Sequence, residues 1–181
     1  MKYCILMLLM TVWMSVSAIA QNAQPAKPCT QLEAKQFDFW IGEWDLTWQG
    51  PQGGLPEGQV GKAVNIINSE LGGCVIAENF SFADSSYTGR SWSVYSARKK
   101  QWQQTWVDNS GSYLLFTGTY NDGKMILQTQ PYQRGEKTFV SRMVFKNIQK
   151  NSLDWDWQRS ADNGKTWTDV WNIHYERKVA E

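Results

Sequence analysis

From Gly42 onward, apolar and polar residues alternate with a period of two. Trp44, Leu46 and Trp48 share one face of the first such segment, and Asp45, Thr47 and Gln49 share the other, as in a half-buried β-strand. The same alternation returns near the end, with Leu153, Trp155 and Trp157 opposed to Asp154, Asp156 and Gln158. Between them the pattern predicts strands at 60–68, 74–81, 88–96, 101–108, 113–120, 124–130 and 138–146, and a last strand follows at 166–177. The breaks carry turn residues. Leu71-Gly72-Gly73 and Asn121-Asp122-Gly123 read as hairpins, because Gly and Asp accept the positive φ of tight turns. Gly and Pro crowd 50–61, which reads as a loop.

About ten strands joined mostly by short turns favour antiparallel neighbours in up-and-down order. A meander of that length has edges to protect, and closing the sheet removes them. The expected fold is therefore all-β: a single antiparallel barrel over 31–181, preceded by a short helix. That helix is expected at 31–39, because Thr30-Gln31-Leu32-Glu33 has the capping-box form.

The first twenty residues read differently. Lys2 is their only charge, 4–16 are almost wholly apolar, and Ala18-Ile19-Ala20 has the small-x-small form of a signal-peptidase site. The expectation is an export signal over 1–20, a flexible arm over 21–30, and a periplasmic or extracellular location. Cys4 would leave with the signal. Cys29 and Cys74 would remain and, in an oxidising compartment, form one disulfide.

Composition narrows the partners. Removing Lys2 from 18 basic residues leaves 17 against 17 acidic, so no charge imbalance attracts nucleic acid or a membrane after signal cleavage. The 11 Trp are many for 181 residues and suit a barrel filled or lined by rings. One His and two paired Cys supply no usual zinc set. No Gly-x-Ser-x-Gly elbow or phosphate-binding Gly loop is present.

Polar residues lie among the rings of the middle strands. Gln104 shares a face with Trp102, Trp106 and Asp108, Glu78 with Ile76 and Phe80, and Arg90 with Trp92 and Val94. If those faces are interior they form a small-molecule pocket, with Trp92, Trp102 and Trp106 as walls and Glu78, Arg90, Gln104 and Asp108 orienting polar atoms. If they are exterior they are ordinary surface. A barrel filled solid by its rings is the third reading.

Gly42-Glu43-Trp44 after a short helix resembles the Gly-x-Trp signature that opens the first strand of lipocalins and other calycins. The resemblance implies an Arg near the chain end packed across that Trp, and Arg177 is the matching residue. Together with Gly72-Gly73-Cys74, Gly89-Arg90-Ser91 and the segment from Trp102 to Gly111, these motifs resemble one exported calycin-like family known only as a domain of unknown function. That resemblance implies a fold and a compartment. Nitrobindins, small ten-stranded calycin-like barrels, hold haem through a His near the C-terminus, which makes His174 the candidate for that alternative. By strand phase, however, His174 lies opposite Ile173, Tyr175 and Arg177. Finally, 160–167 matches the Asp-box pattern Ser-x-Asp-x-Gly-x-Thr-Trp of sialidases. In a single copy it is expected to be a hairpin device, with Asp162 bonding backbone N–H groups, Gly164 at the tight position and Trp167 packed beneath.

The expected function is thus an exported barrel that binds a small, partly apolar molecule, without a cofactor. The alternatives are isomerase- or lyase-like catalysis in the cavity, with Glu78 or Asp108 as acid/base and Arg90 as anion partner, and the haem barrel through His174. Oligomeric state leaves no trace in the pattern.

Overall fold

The computed structural model describes residues 29–178. The expected signal over 1–20 and most of the arm lie outside the described residues. The chain forms strands β1 (Gly42–Gln49), β2 (Val60–Glu70), β3 (Val75–Phe82), β4 (Thr88–Ser96), β5 (Gln101–Asp108), β6 (Tyr113–Asn121), β7 (Lys124–Gln128), β8 (Tyr132–Arg134), β9 (Lys137–Lys146), β10 (Ser152–Ser160) and β11 (Thr168–Arg177). All pairings are antiparallel. Ten strands close into a barrel in the order β1 to β7, then β9, β10 and β11, which pairs back to β1. The eleventh, β8, pairs only with the first residues of β9.

The expected helix is two short 3₁₀ turns, Leu32–Lys35 and Asp38–Trp40. The N-cap position falls on Gln31, one residue after the expected Thr30, and the Gln31 side chain makes no capping bond. Instead of one continuous helix, the segment turns Phe37 and Trp40 into one end of the barrel. Their rings stack with centroids 5.0 Å apart. Phe37 also meets Trp102 at 5.4 Å and Phe145 at 5.1 Å, edge on. This half of the barrel is solid, with Phe37, Trp40, Trp102, Met125, Leu127 and Phe145 all buried.

Arg177 closes the same end. Its guanidinium carbon lies 4.0 Å from the centre of the Trp44 ring, and it donates to the carbonyls of Ile41 (2.6 Å), Phe39 (2.9 Å) and Lys150 (2.9 Å). Stacked and hydrogen-bonded, it satisfies carbonyls that the plug leaves without strand partners. Trp44 Nε1 donates to Trp40 O at 2.7 Å. Gly42 makes room for this: its φ is +131°, and a Cβ there would lie 2.2 Å from Arg177 Nη1. A disulfide joins Cys29 to Cys74 across a sequence separation of 45, tying the segment before the plug to the entry of β3. Such a bond belongs to an oxidising environment. No helix among the described residues is long and apolar enough to cross a membrane.

The opposite end carries the longer loops. The Asp-box hairpin is one of them. Asp162 accepts from the backbone N–H of Lys165 (3.1 Å) and Thr166 (2.9 Å) and from the hydroxyls of Ser160 and Thr166 (2.6 Å each). Those donors hold its carboxyl well below the usual range. Trp167 Nε1 donates to Gly164 O at 3.0 Å, and Arg142 stacks 3.9 Å from its ring. The motif is an internally bonded turn.

Candidate functional site

Between the solid plug and the loop end the barrel is hollow. The cavity measures ≈ 230 Å³. Trp40 forms part of its floor, Trp106, Trp155, Trp157 and Trp171 supply indole walls, and Asp108 and Ser112 stand toward the loops. Period-two alternation explains the lining, because each strand sends every second side chain inward. On β10 this presents Trp155 and Trp157, whose rings lie 9° from parallel with centroids 6.4 Å apart. Trp171 on β11 stands 89° to Trp155 at 6.0 Å.

One buried carboxyl faces this space. Glu78 points inward from β3. Asn65 Nδ2 donates to its Oε1 at 2.7 Å, and Ser91 Oγ donates to its Oε2 at 2.5 Å. The register sets these contacts: Glu78 pairs directly with Ser91, and Asn65 sits one inward position away on β2. Burial pushes the Glu78 carboxyl up to about 7, against the hydrogen bonds from Ser91 and Asn65 and the charge of Arg90, which lower it. Tyr175 on β11 completes the cluster, its hydroxyl 3.4 Å from Asn65 Nδ2. Burial and the neighbouring Glu78 raise the Tyr175 hydroxyl well above its ordinary value. Asn65 Oδ1 has no hydrogen-bond partner among the described residues.

Asp108 is a different kind of carboxyl. Its Oδ2 accepts from Tyr87 Oη and Trp106 Nε1, both at 2.9 Å, and its Oδ1 accepts from the N–H groups of Ser110 (2.9 Å) and Ser112 (3.1 Å) and the Ser110 hydroxyl (2.5 Å). Burial opposes its charge, but these donors outweigh burial and hold the carboxyl well below the usual range. Asp108 is therefore ionised and saturated, while Glu78 is poised and keeps free lone pairs.

The sequence-derived site residues fall into three groups. Glu78, Trp106 and Asp108 line the cavity. Trp102 and Gln104 point inward but lie in the solid part: Trp102 packs on Phe37, and Gln104 Nε2 donates to Ser93 Oγ at 2.9 Å. Arg90 and Trp92 belong to the outer wall, which corrects their assignment as anion partner and apolar wall. Trp92 is 43% exposed, and Arg90 donates to the carbonyls of Gly89 (2.8 Å) and Phe80 (3.4 Å). The reason is spatial. The inward face of β4 carries Gly89, Ser91 and Ser93, all buried, because Trp106 and Gln104 from β5 and Glu78 from β3 occupy the volume in front of them. His174 is also on the outer wall, with Nδ1 2.7 Å from Asp154 Oδ1, and does not line the cavity.

The residues missed at the sequence level are Asn65, Ser91, Tyr87 and Tyr175. No local signal marks them, since each gains its role from a cross-strand neighbour. Trp155 and Trp157 were legible as a one-sided strand face. A second hollow, of ≈ 410 Å³, adjoins the first and shares Leu114 and Trp157 with it. It lies where β6 parts from β7: β6 pairs with β7 only over Thr117 to Asn121, so residues 113–116 have a neighbour on one side alone. Among the described residues there is no group of three or more His, Cys, Asp or Glu placed to hold a metal ion.

A family model described as a protein of unknown function (DUF1579) matches residues 30–177. No curated protein matches the chain.

Proposed function

Because the chain belongs to this family of unknown function, DUF1579, we propose from its own residues that it is an exported protein that binds a small, largely apolar molecule inside the barrel. The observation that carries this is the ≈ 230 Å³ hollow walled by indoles around the buried carboxyl of Glu78. An apolar pocket with a few convergent polar groups is the usual architecture of a ligand site. The volume is below the roughly 300–1,000 Å³ of drug-sized sites, so the ligand is small. The Cys29–Cys74 bond and the signal-like first twenty residues support export to a periplasmic or extracellular location.

Native mass spectrometry of protein incubated with a small-molecule extract, together with tryptophan quenching, tests the reading. A retained species that is lost on Trp157→Ala is expected. A protein that retains nothing and shows no quenching would overturn it.

Acid–base chemistry in the same cavity is a second reading, favoured by one observation. Glu78 is held near 7 while Asp108 stays ionised, and two carboxyls in unlike environments are a common acid/base arrangement. Arg90 does not line the cavity; its guanidinium bonds the carbonyls of Gly89 and Phe80 on the outer wall. Deuterium incorporation from solvent into a bound ligand, abolished in Glu78→Gln, is the expected sign. Its absence for every ligand the protein retains removes this reading.

A further inference from the structure

Resting on the small-molecule reading, we infer that the occupant of the cavity is a small amine, bound as its ammonium cation with the charged head at Glu78. Three independent features converge. The first is charge. The lining contains Glu78 and Asp108 but no Lys, Arg or His. Arg90, the cation nearest Glu78 in sequence register, is turned outward and bonded to the carbonyls of Gly89 and Phe80. A carboxylate or phosphate ligand would meet two acids and no base.

The second feature is the walls. Trp40, Trp106, Trp155, Trp157 and Trp171 all line the space. Trp155 and Trp171 stand perpendicular, so the indoles surround it from two directions. An indole face is the best side-chain partner for a desolvated cation, and each such contact strengthens as water is excluded.

The third feature is the inventory of hydrogen bonds. Around Glu78 the spare capacity is mostly for accepting. Its carboxylate, which lines the hollow, keeps lone pairs beyond the bonds from Asn65 and Ser91. An ammonium brings three donors and no acceptor, whereas a hydroxyl brings one donor. A single ring with a short amine arm meets these demands.

Three probes that share one skeleton test the inference: tyramine, its alcohol counterpart tyrosol, and 3-(4-hydroxyphenyl)propanoate, titrated by tryptophan fluorescence. Tyramine is expected to bind at least about tenfold more tightly than tyrosol, and the propanoate most weakly. Glu78→Gln should lower tyramine affinity by about tenfold or more while leaving tyrosol within about threefold. Tyramine affinity should also rise between about pH 6 and pH 8 as Glu78 loses its proton. Over that interval the neighbouring Tyr87 and Tyr175 stay neutral and Asp108 stays ionised, and Arg90 lies behind the wall. Tyrosol or the propanoate binding as tightly as tyramine would overturn the amine while leaving small-molecule binding intact. Binding of none of the three also overturns it, and the extract experiment above then decides separately whether the barrel binds anything. If Glu78→Gln fails to fold, the ratio of the three affinities in the unaltered protein still decides.

Discussion

Gly89 lies directly beneath the indole of Trp106: a Cβ on Gly89 would stand 2.0 Å from Trp106 Cζ2. The absence of a side chain on β4 is what lets a ring on β5 lie flat against the wall and keep the cavity open. Trp106 is held there by its bond to Asp108, and Asp108 by the turn through Ser110 and Ser112. Gly89→Ala is expected to push the ring into the hollow and destabilise the fold by about 1–3 kcal/mol, the usual cost of overpacking. A lower thermal midpoint and a changed tryptophan emission spectrum are the signs to look for. An unchanged spectrum would mean that the ring is not confined.

Arg90 and Trp92 supply the contrasting case. Both face outward, so Arg90→Gln and Trp92→Ser should leave ligand affinity within about twofold, whereas Trp157→Ala removes a cavity wall and should weaken it by about tenfold or more. Parallel titrations of the three variants check this. A tenfold loss in Arg90→Gln would bring back the arginine as an anion partner.

Stability should depend on pH through Glu78. Its folded-state value is raised from 4.5 to about 7 by burial. Below 4.5 both folded and unfolded forms are protonated and the group contributes nothing to the difference. As pH rises toward 7 the unfolded chain releases its proton first, so the folded state binds more protons and stability falls. The displacement corresponds to roughly 3 kcal/mol, fully lost above 7. Urea midpoints at pH 5 and pH 8 should therefore drop for the unaltered protein and drop less for Glu78→Gln. Parallel behaviour of the two would show that the carboxyl is not desolvated in solution.

Reducing the Cys29–Cys74 bond opens a loop of 45 residues and should cost about 2–4 kcal/mol. Comparing denaturation with and without reductant measures it. Because the bond anchors the segment before the plug, Trp40 is expected to become more accessible to quenchers on reduction.

Arg177→Ala should strip the closure at the plugged end. Three backbone carbonyls lose a charged donor and Trp44 loses its stacked partner. A loss of about 2–4 kcal/mol is expected, with Arg177→Lys recovering only part, because an ammonium cannot present the guanidinium fork to several carbonyls at once. Thermal unfolding of the two variants separates charge from geometry.

How much was legible follows from the range of each signal. Alternation in 44–48 and 153–157 reports which residues share a face, and strand periodicity needs only neighbours along the chain. Turn residues such as Asp122 and Gly123, both with positive φ in the structure, report where the chain reverses. Both kinds of signal survive in the sequence, so nearly every strand and its antiparallel order could be read. The short β8 escaped, since Tyr132–Arg134 has too few residues to show a period.

Which face of β4 is inside is not a local property. By hydrophobicity Trp92 and Val94 belong in the core, and Ser91 and Ser93 outside. The structure reverses them because Glu78, Trp106 and Gln104 arrive from the adjacent strands and fill the space in front of β4. Likewise, no pattern in the chain distinguishes the saturated Asp108 from the poised Glu78. The one meets five donors from its own turn and neighbours, the other a hydroxyl and an amide inside a barrel wall. The sequence by itself determined an all-β chain of alternating faces, its turns, and one expected disulfide. Only the tertiary structure decided that the plugged half is solid, that the other half is hollow, and that one carboxyl faces the hollow at a neutral-range pKa. Volume and desolvation are sums over residues that are distant in sequence, and no stretch of sequence carries such a sum.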